Sequence, residues 1–249
     1  MLNGGVSIPE SAIDSKEDSP QIDELPLSSE KLFCQLEDLS DEIVQQIKQE
    51  IEQHQFPVII GDDASGRLPA IIFHGLISRV NLRDGLEKPK TLFLAGSRLT
   101  NVAETKEKTD LIERYLSKIE ISKSVDSKKE KILIVTDTIE TGKSLLPLIL
   151  TLGKLKIPYE IVTLSRIERY PKGMLEANLG SRIVEGEVER EYAPMIYGRN
   201  DLSGVNKEDA NLFAQSTRQT PDQNYDKSVR ASRERIASIA DNLYERHFS

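Results

Sequence analysis

A chain of 249 residues is long enough for one large domain with additions or for two small ones. It carries 33 Lys and Arg against 41 Asp and Glu, with a sequence pI of about 5.1, so the overall balance gives no reason to expect nucleic acid or anionic lipid as a partner. The one cysteine, Cys34, excludes an intramolecular disulfide and a thiolate metal cluster and fits a cytoplasmic setting, and His54, His74 and His247 are too scattered to suggest a metal site.

The opening MLNGGVSIPESAIDSKEDSP has no basic region leading into an apolar run, so it does not read as a signal peptide. No membrane span is expected, since the most apolar window, LLPLILTLG at 145–153, is about half the length that one requires. Residues 1–27 are Ser, Pro, Asp and Glu with few large apolar groups, and read as a disordered acidic tail. Residues 28–55 read as a helical extension made of two helices. The second begins with Ser40 as its cap and Asp41 and Glu42 at its positive end, and places Ile43, Val44, Ile47 and Ile51 on one stripe.

An α/β domain is expected over 56–204. The run FPVIIG at 56–61 suits a strand buried on both faces, followed by a polar loop, GDDASGR, and a helix over LPAIIFHGLISRVNL with Pro69 near its first turn. Then come a strand at TLFLAG (91–96) and a helix around TDLIERYLSKIE with Leu111, Ile112, Tyr115, Leu116 and Ile119 on one face. A strand at ILIVT (132–136), a helix over SLLPLILTLGKL and a strand at YEIVTLS (159–165) complete the series. This alternation predicts a mainly parallel, Rossmann-like sheet with helices on both faces. After residue 166 the rhythm is expected to break into short strands and loops, with a C-terminal helical segment over 205–249 whose Val229, Ile236, Ile239, Ala240 and Leu243 share one face.

Parallel α/β sheets bind ligands at the carboxyl ends of their strands, and two loops there carry phosphate-suited chemistry: GDDASGR at 61–67 and TDTIETGKS at 136–144. The second ends like a nucleotide-binding P-loop, but Asp137 stands where that motif needs its first glycine, which argues against a P-loop NTPase. The same loop enters a helix N-terminus, where unpaired N–H groups and the hydroxyls of Thr141 and Ser144 suit a monophosphate, and Asp137 can accept hydrogen bonds from ribose hydroxyls.

Taken whole, the stretch resembles the phosphoribosyl pyrophosphate motif of the type I phosphoribosyltransferases. Ile132, Leu133, Ile134 and Val135 fill the strand, Asp137 is the motif's aspartate, Glu140 its acidic residue, and Thr141, Gly142, Lys143 and Ser144 its phosphate turn; T-G-K-[ST] is closest to the purine-salvage members. The resemblance spans roughly residues 56–166. It implies a ligand site from Asp137, Thr138, Ile139 and Glu140 through Ser144, and a pyrophosphate loop at Ala64, Ser65, Gly66 and Arg67. It further implies a mobile loop within 97–130 and a base-selecting hood within 167–204, where Tyr192, Tyr197 and Arg199 fall. The implied activity is magnesium-dependent transfer of a phosphoribosyl group to a nitrogenous base or related acceptor, with Glu140 and Asp137 as catalytic groups, Asp137 as metal ligand, and a homodimer as a common assembly. The motif departs from the family at Thr136, where an acidic residue normally precedes the aspartate, and the alternative is a noncatalytic module that senses phosphoribosyl pyrophosphate or a nucleotide.

Overall fold

A computed structural model describes residues 29–94, 102–168, 170–186, 205–206, 212–213, 215–216 and 223–249. The tail at 1–27 and the part of the hood from 187 to 204, with Tyr192, Tyr197 and Arg199, lie outside the described residues.

Five apolar runs form one parallel sheet: β1 (Val58–Asp62), β2 (Lys90–Leu94), β3 (Ile132–Ile139), β4 (Tyr159–Arg166) and β5 (Ile183–Glu185), in the order β2-β1-β3-β4-β5. Successive strand residues point to opposite faces, so each apolar run supplies both sides of the sheet. Ile59, Leu133, Val135, Val162, Leu164 and Val184 pack against α1 (Ser29–Glu52), α2 (Asp63–Arg83) and the C-terminal helix. Val58, Ile60, Ile132, Ile134, Ile161 and Ile183 pack against α3 (Val102–Lys118), α4 (Leu146–Lys154) and α5 (Lys172–Leu179). The C-terminal helix, α6 (Gln223–Phe248), completes the first layer, and β6 (Val205–Asn206) and β7 (Gln215–Ser216) form a separate antiparallel pair. The expected α/β class with a parallel sheet between helical layers is what the chain adopts.

Several boundaries differ from the sequence reading. The alternation continues past residue 166, since Pro171 precedes α5 and Ile183–Glu185 extends the sheet beside β4. Only three residues long, β5 is too short for its periodicity to show in sequence. Residues 102–118 and 121–124 of the expected mobile loop are helical, with Ile112 and Leu116 in the core. The helix after β1 begins at Asp63, so Pro69 lies inside it rather than near its start.

The expected pair of N-terminal helices is one helix that runs through Ser40 and bends at Ile47, the residue with non-helical φ −117° and ψ 15°. Ser40 does not cap; it is fully buried in mid-helix and its hydroxyl has no hydrogen-bond partner. Asp41 turns toward α6, accepting hydrogen bonds from Arg246 at 2.6 Å and His247 at 2.8 Å. Both terminal segments therefore belong to the core layer: Leu36, Ile43 and Ile47 of α1 and Ile236, Ile239 and Leu243 of α6 share one apolar cluster with the sheet. Burial of those side chains, each worth about 1.5–3 kcal/mol, outweighs a capping bond worth about 1 kcal/mol.

Candidate functional site at the carboxyl edge of the sheet

The chain leaves β1 toward β2 and leaves β3 toward β4, so the strand order reverses direction between β1 and β3. In open parallel sheets this switch point opens a crevice at the carboxyl ends. Here α2 departs on one face and α4 on the other. Pairing between the two strands ends at Gly61 and Val135, whereas β3 continues beside β4 through Thr138 and Ile139, which pair with Ser165 and Arg166. The segment from Asp137 to Ile139 thus extends past the end of β1. Asp137, Thr138 and Ile139 are strand residues, not the loop residues the sequence suggested, because the ladder to β4 holds them extended.

Alternation along β3 decides what each acidic-motif position faces. Thr136 lies on the side of Ile132 and Ile134, is 2% exposed and is in register with Thr163. Asp137 lies on the side of Leu133 and Val135, toward α2, is 5% exposed, and its Oδ1 accepts the N–H of Thr138 at 2.7 Å. The position at which the resemblance expects a second acidic residue is therefore an interior site where an unpaired carboxylate would be strongly disfavoured.

Beyond Ile139 the chain turns through Glu140, Thr141 and Gly142 into a 3-10 turn, Lys143–Leu145, and then α4. Gly142 has φ 69°, and a Cβ there would sit 2.9 Å from the side chain of Leu179, so both the backbone and the packing call for glycine. The Lys143 N–H donates to Thr141 Oγ1 at 3.4 Å. Glu140, Thr141 and Ser144 are half-buried, and Lys143 is exposed. The turn joins the end of β3 to α4 with Thr141 and Ser144 just ahead of the helix; within it the Leu145 and Leu146 N–H groups donate to the carbonyls of Gly142 and Lys143.

The first proposed loop has a different form. Ala64, Ser65, Gly66 and Arg67 are the opening turn of α2 rather than a loop. Gly66 is required there because a Cβ would run into the Val135 carbonyl oxygen and meet Thr136 Cα at 3.3 Å: the helix lies directly on the middle of β3. Arg67 stacks its guanidinium 4.1 Å from the Phe93 ring centroid, joining α2 to β2.

The end of β4 also contributes, a part the sequence reading missed. Thr163 Oγ1 lies 2.7 Å from the carbonyl of Ser165 and 3.2 Å from that of Asp137, and Ser165 Oγ lies 2.9 Å from Thr138 Oγ1. Arg166 donates to Glu185 at 2.6 Å, and that bond holds its guanidinium pKa above the ordinary value. The available signal was the change from apolar to polar at the end of YEIVTLSR, the same change that marks β3. A shallow depression on α3 lined by Asp110, Glu113, Arg114, Ser117 and Lys118 shares no residue with this edge.

No group of three or more His, Cys, Asp or Glu among the described residues is placed to hold a metal ion by itself. Asp137, the carboxylate that would hold magnesium, is 5% exposed, and its Oδ1 accepts the Thr138 N–H. No described helix is long and apolar enough to cross a membrane.

The fold is that of an α/β protein with a five-stranded parallel sheet whose strand order reverses between β1 and β3. No family model matches the chain, and no curated protein matches it. Among solved structures it is similar to orotate phosphoribosyltransferase from Aeropyrum pernix, at 16% identity and a TM-score of 0.35, over 64% of this chain and 71% of that one.

Proposed function

We propose that the protein binds phosphoribosyl pyrophosphate in the crevice between β1 and β3 and transfers its phosphoribosyl group to a nitrogenous base or related acceptor. The observation that carries this reading is the turn at 140–145, which joins the end of β3 to α4 at the switch point with Gly142 in the left-handed conformation. Its backbone donors and the hydroxyls of Thr141 and Ser144 suit the 5′-phosphate. Asp137, beside it on β3, suits the ribose diol, and the opening turn of α2 offers N–H groups to the pyrophosphate.

In the reaction the bond from ribose C1 to the pyrophosphate oxygen breaks as the acceptor nitrogen bonds to C1, and Glu140 takes the acceptor's proton. Magnesium, held on one protein side by Asp137, would supply neutralisation of the leaving pyrophosphate. The residues themselves orient the ribose and exclude water from C1. A second reading, binding without transfer, is favoured by Thr136, whose buried site leaves Asp137 without the neighbouring carboxylate of the motif.

The test is pyrophosphate release from phosphoribosyl pyrophosphate with magnesium and a panel of bases. Release that is lost in Asp137→Asn and strongly reduced in Glu140→Gln supports transfer. Calorimetric binding with no release leaves the binding module, and absence of binding overturns both readings.

A further inference from the structure

The reaction above gives the side chain of Thr138 no task. It is the half-buried member of a group of hydroxyls at the carboxyl ends of β3 and β4, next to the buried Thr136, Thr163 and Ser165. Thr138 and Ser165 are in register, and their oxygens are 2.9 Å apart. Thr138 is followed by Ile139, which is buried on the α4 side of the sheet, and then by the turn at 140–145. Thr163 Oγ1 lies 2.7 Å from the Ser165 carbonyl, which secures the backbone of Ser165 as well.

We propose that Ser165 is a positioning residue of the ligand site, acting through the Thr138 hydroxyl on a phosphate oxygen held by the turn. This inference rests on the phosphoribosyl-binding reading. A hydroxyl has one proton and can accept as well as donate. With Ser165 donating to Thr138, the Thr138 proton is released toward the crevice, and donation along such a chain strengthens the last donor. With no anion present the pair can reverse, so the two strands keep the bond in either state. A phosphate, which only accepts, selects the first arrangement.

Isothermal titration of ribose 5-phosphate into wild type, Thr138→Val, Ser165→Ala and the double variant tests this. Each single change is expected to weaken binding about three- to tenfold, the loss of one neutral hydrogen bond. The double variant is expected to lose no more than the larger single, because both act through one contact. Ser165→Thr, which keeps the hydroxyl, restores at least part of the affinity lost in Ser165→Ala, a result that strand packing alone would not produce. Wild-type affinity in Thr138→Val overturns the inference while leaving phosphoribosyl binding intact, and so do additive losses in the double variant. Should Ser165→Ala fail to fold, Thr138→Val, at the half-buried position, still decides the matter. Failure of wild type to bind ribose 5-phosphate or phosphoribosyl pyrophosphate overturns the binding reading and this inference with it.

Discussion

Gly66→Ala places the helix preference of one residue against the spacing of two elements. In an ordinary helix interior the change stabilises by about 0.5–1 kcal/mol, because alanine has less backbone freedom to lose. At Gly66 the new Cβ runs into the Val135 carbonyl oxygen and lies 3.2 Å from its carbon, well inside contact distance. Neither atom can swing aside, since Val135 is paired with Gly61 on one side and Val162 on the other. The helix must instead lift from β3, and overpacking of this kind costs about 1–3 kcal/mol. The net expectation is a loss of roughly 1–2 kcal/mol, together with weaker binding of phosphoribosyl pyrophosphate as the crevice widens. The chain has no tryptophan, so urea unfolding is followed by circular dichroism, and binding by calorimetry. A midpoint equal to or above that of wild type would refute the claim that α2 is seated on β3 through this glycine.

Gly142→Ala is expected to destabilise by about 1–2 kcal/mol from the left-handed backbone alone, and to lower phosphate affinity more than Lys143→Ala does, because Lys143 is exposed. Urea midpoints and titration of ribose 5-phosphate check both parts. The clamp between α1 and α6 is expected to weaken in acid. Burial raises the pKa of Asp41, but its bonds with His247, Arg246 and Gln45 prevail and hold it below the ordinary 3.8. A carboxylate lowered in the folded state contributes fully above its unfolded value and loses that contribution as pH falls through the folded one. Asp41→Asn should therefore lower the unfolding midpoint near neutral pH, with the difference from wild type fading once the pH drops below about 3.8.

The sequence by itself determined the class of fold. VIIGD, ILIVTDTI and YEIVTLSR are near-continuous apolar runs, and such runs can be satisfied only by strands covered on both faces, with helices between them to do the covering. It also placed a turn at Thr141 to Ser144 ahead of a helix, which is where the chain turns. What it left open were questions of partner. Ser40 looked like a cap because its neighbours have capping composition, yet burial against the sheet keeps the helix unbroken through it. Gly66 looked like a ligand-binding glycine, and only the placement of α2 on β3 shows the carbonyl that excludes a side chain there. Thr136 and Asp137 are adjacent letters, but strand alternation sends one into the interior and the other toward α2. The pairing of Thr138 with Ser165 could not be read at all, because register between strands 27 residues apart depends on how both seat against the helices. Periodicity reports that a residue is buried; tertiary structure decides what it is buried against, and here that decides which polar groups gather at the carboxyl edge of the sheet.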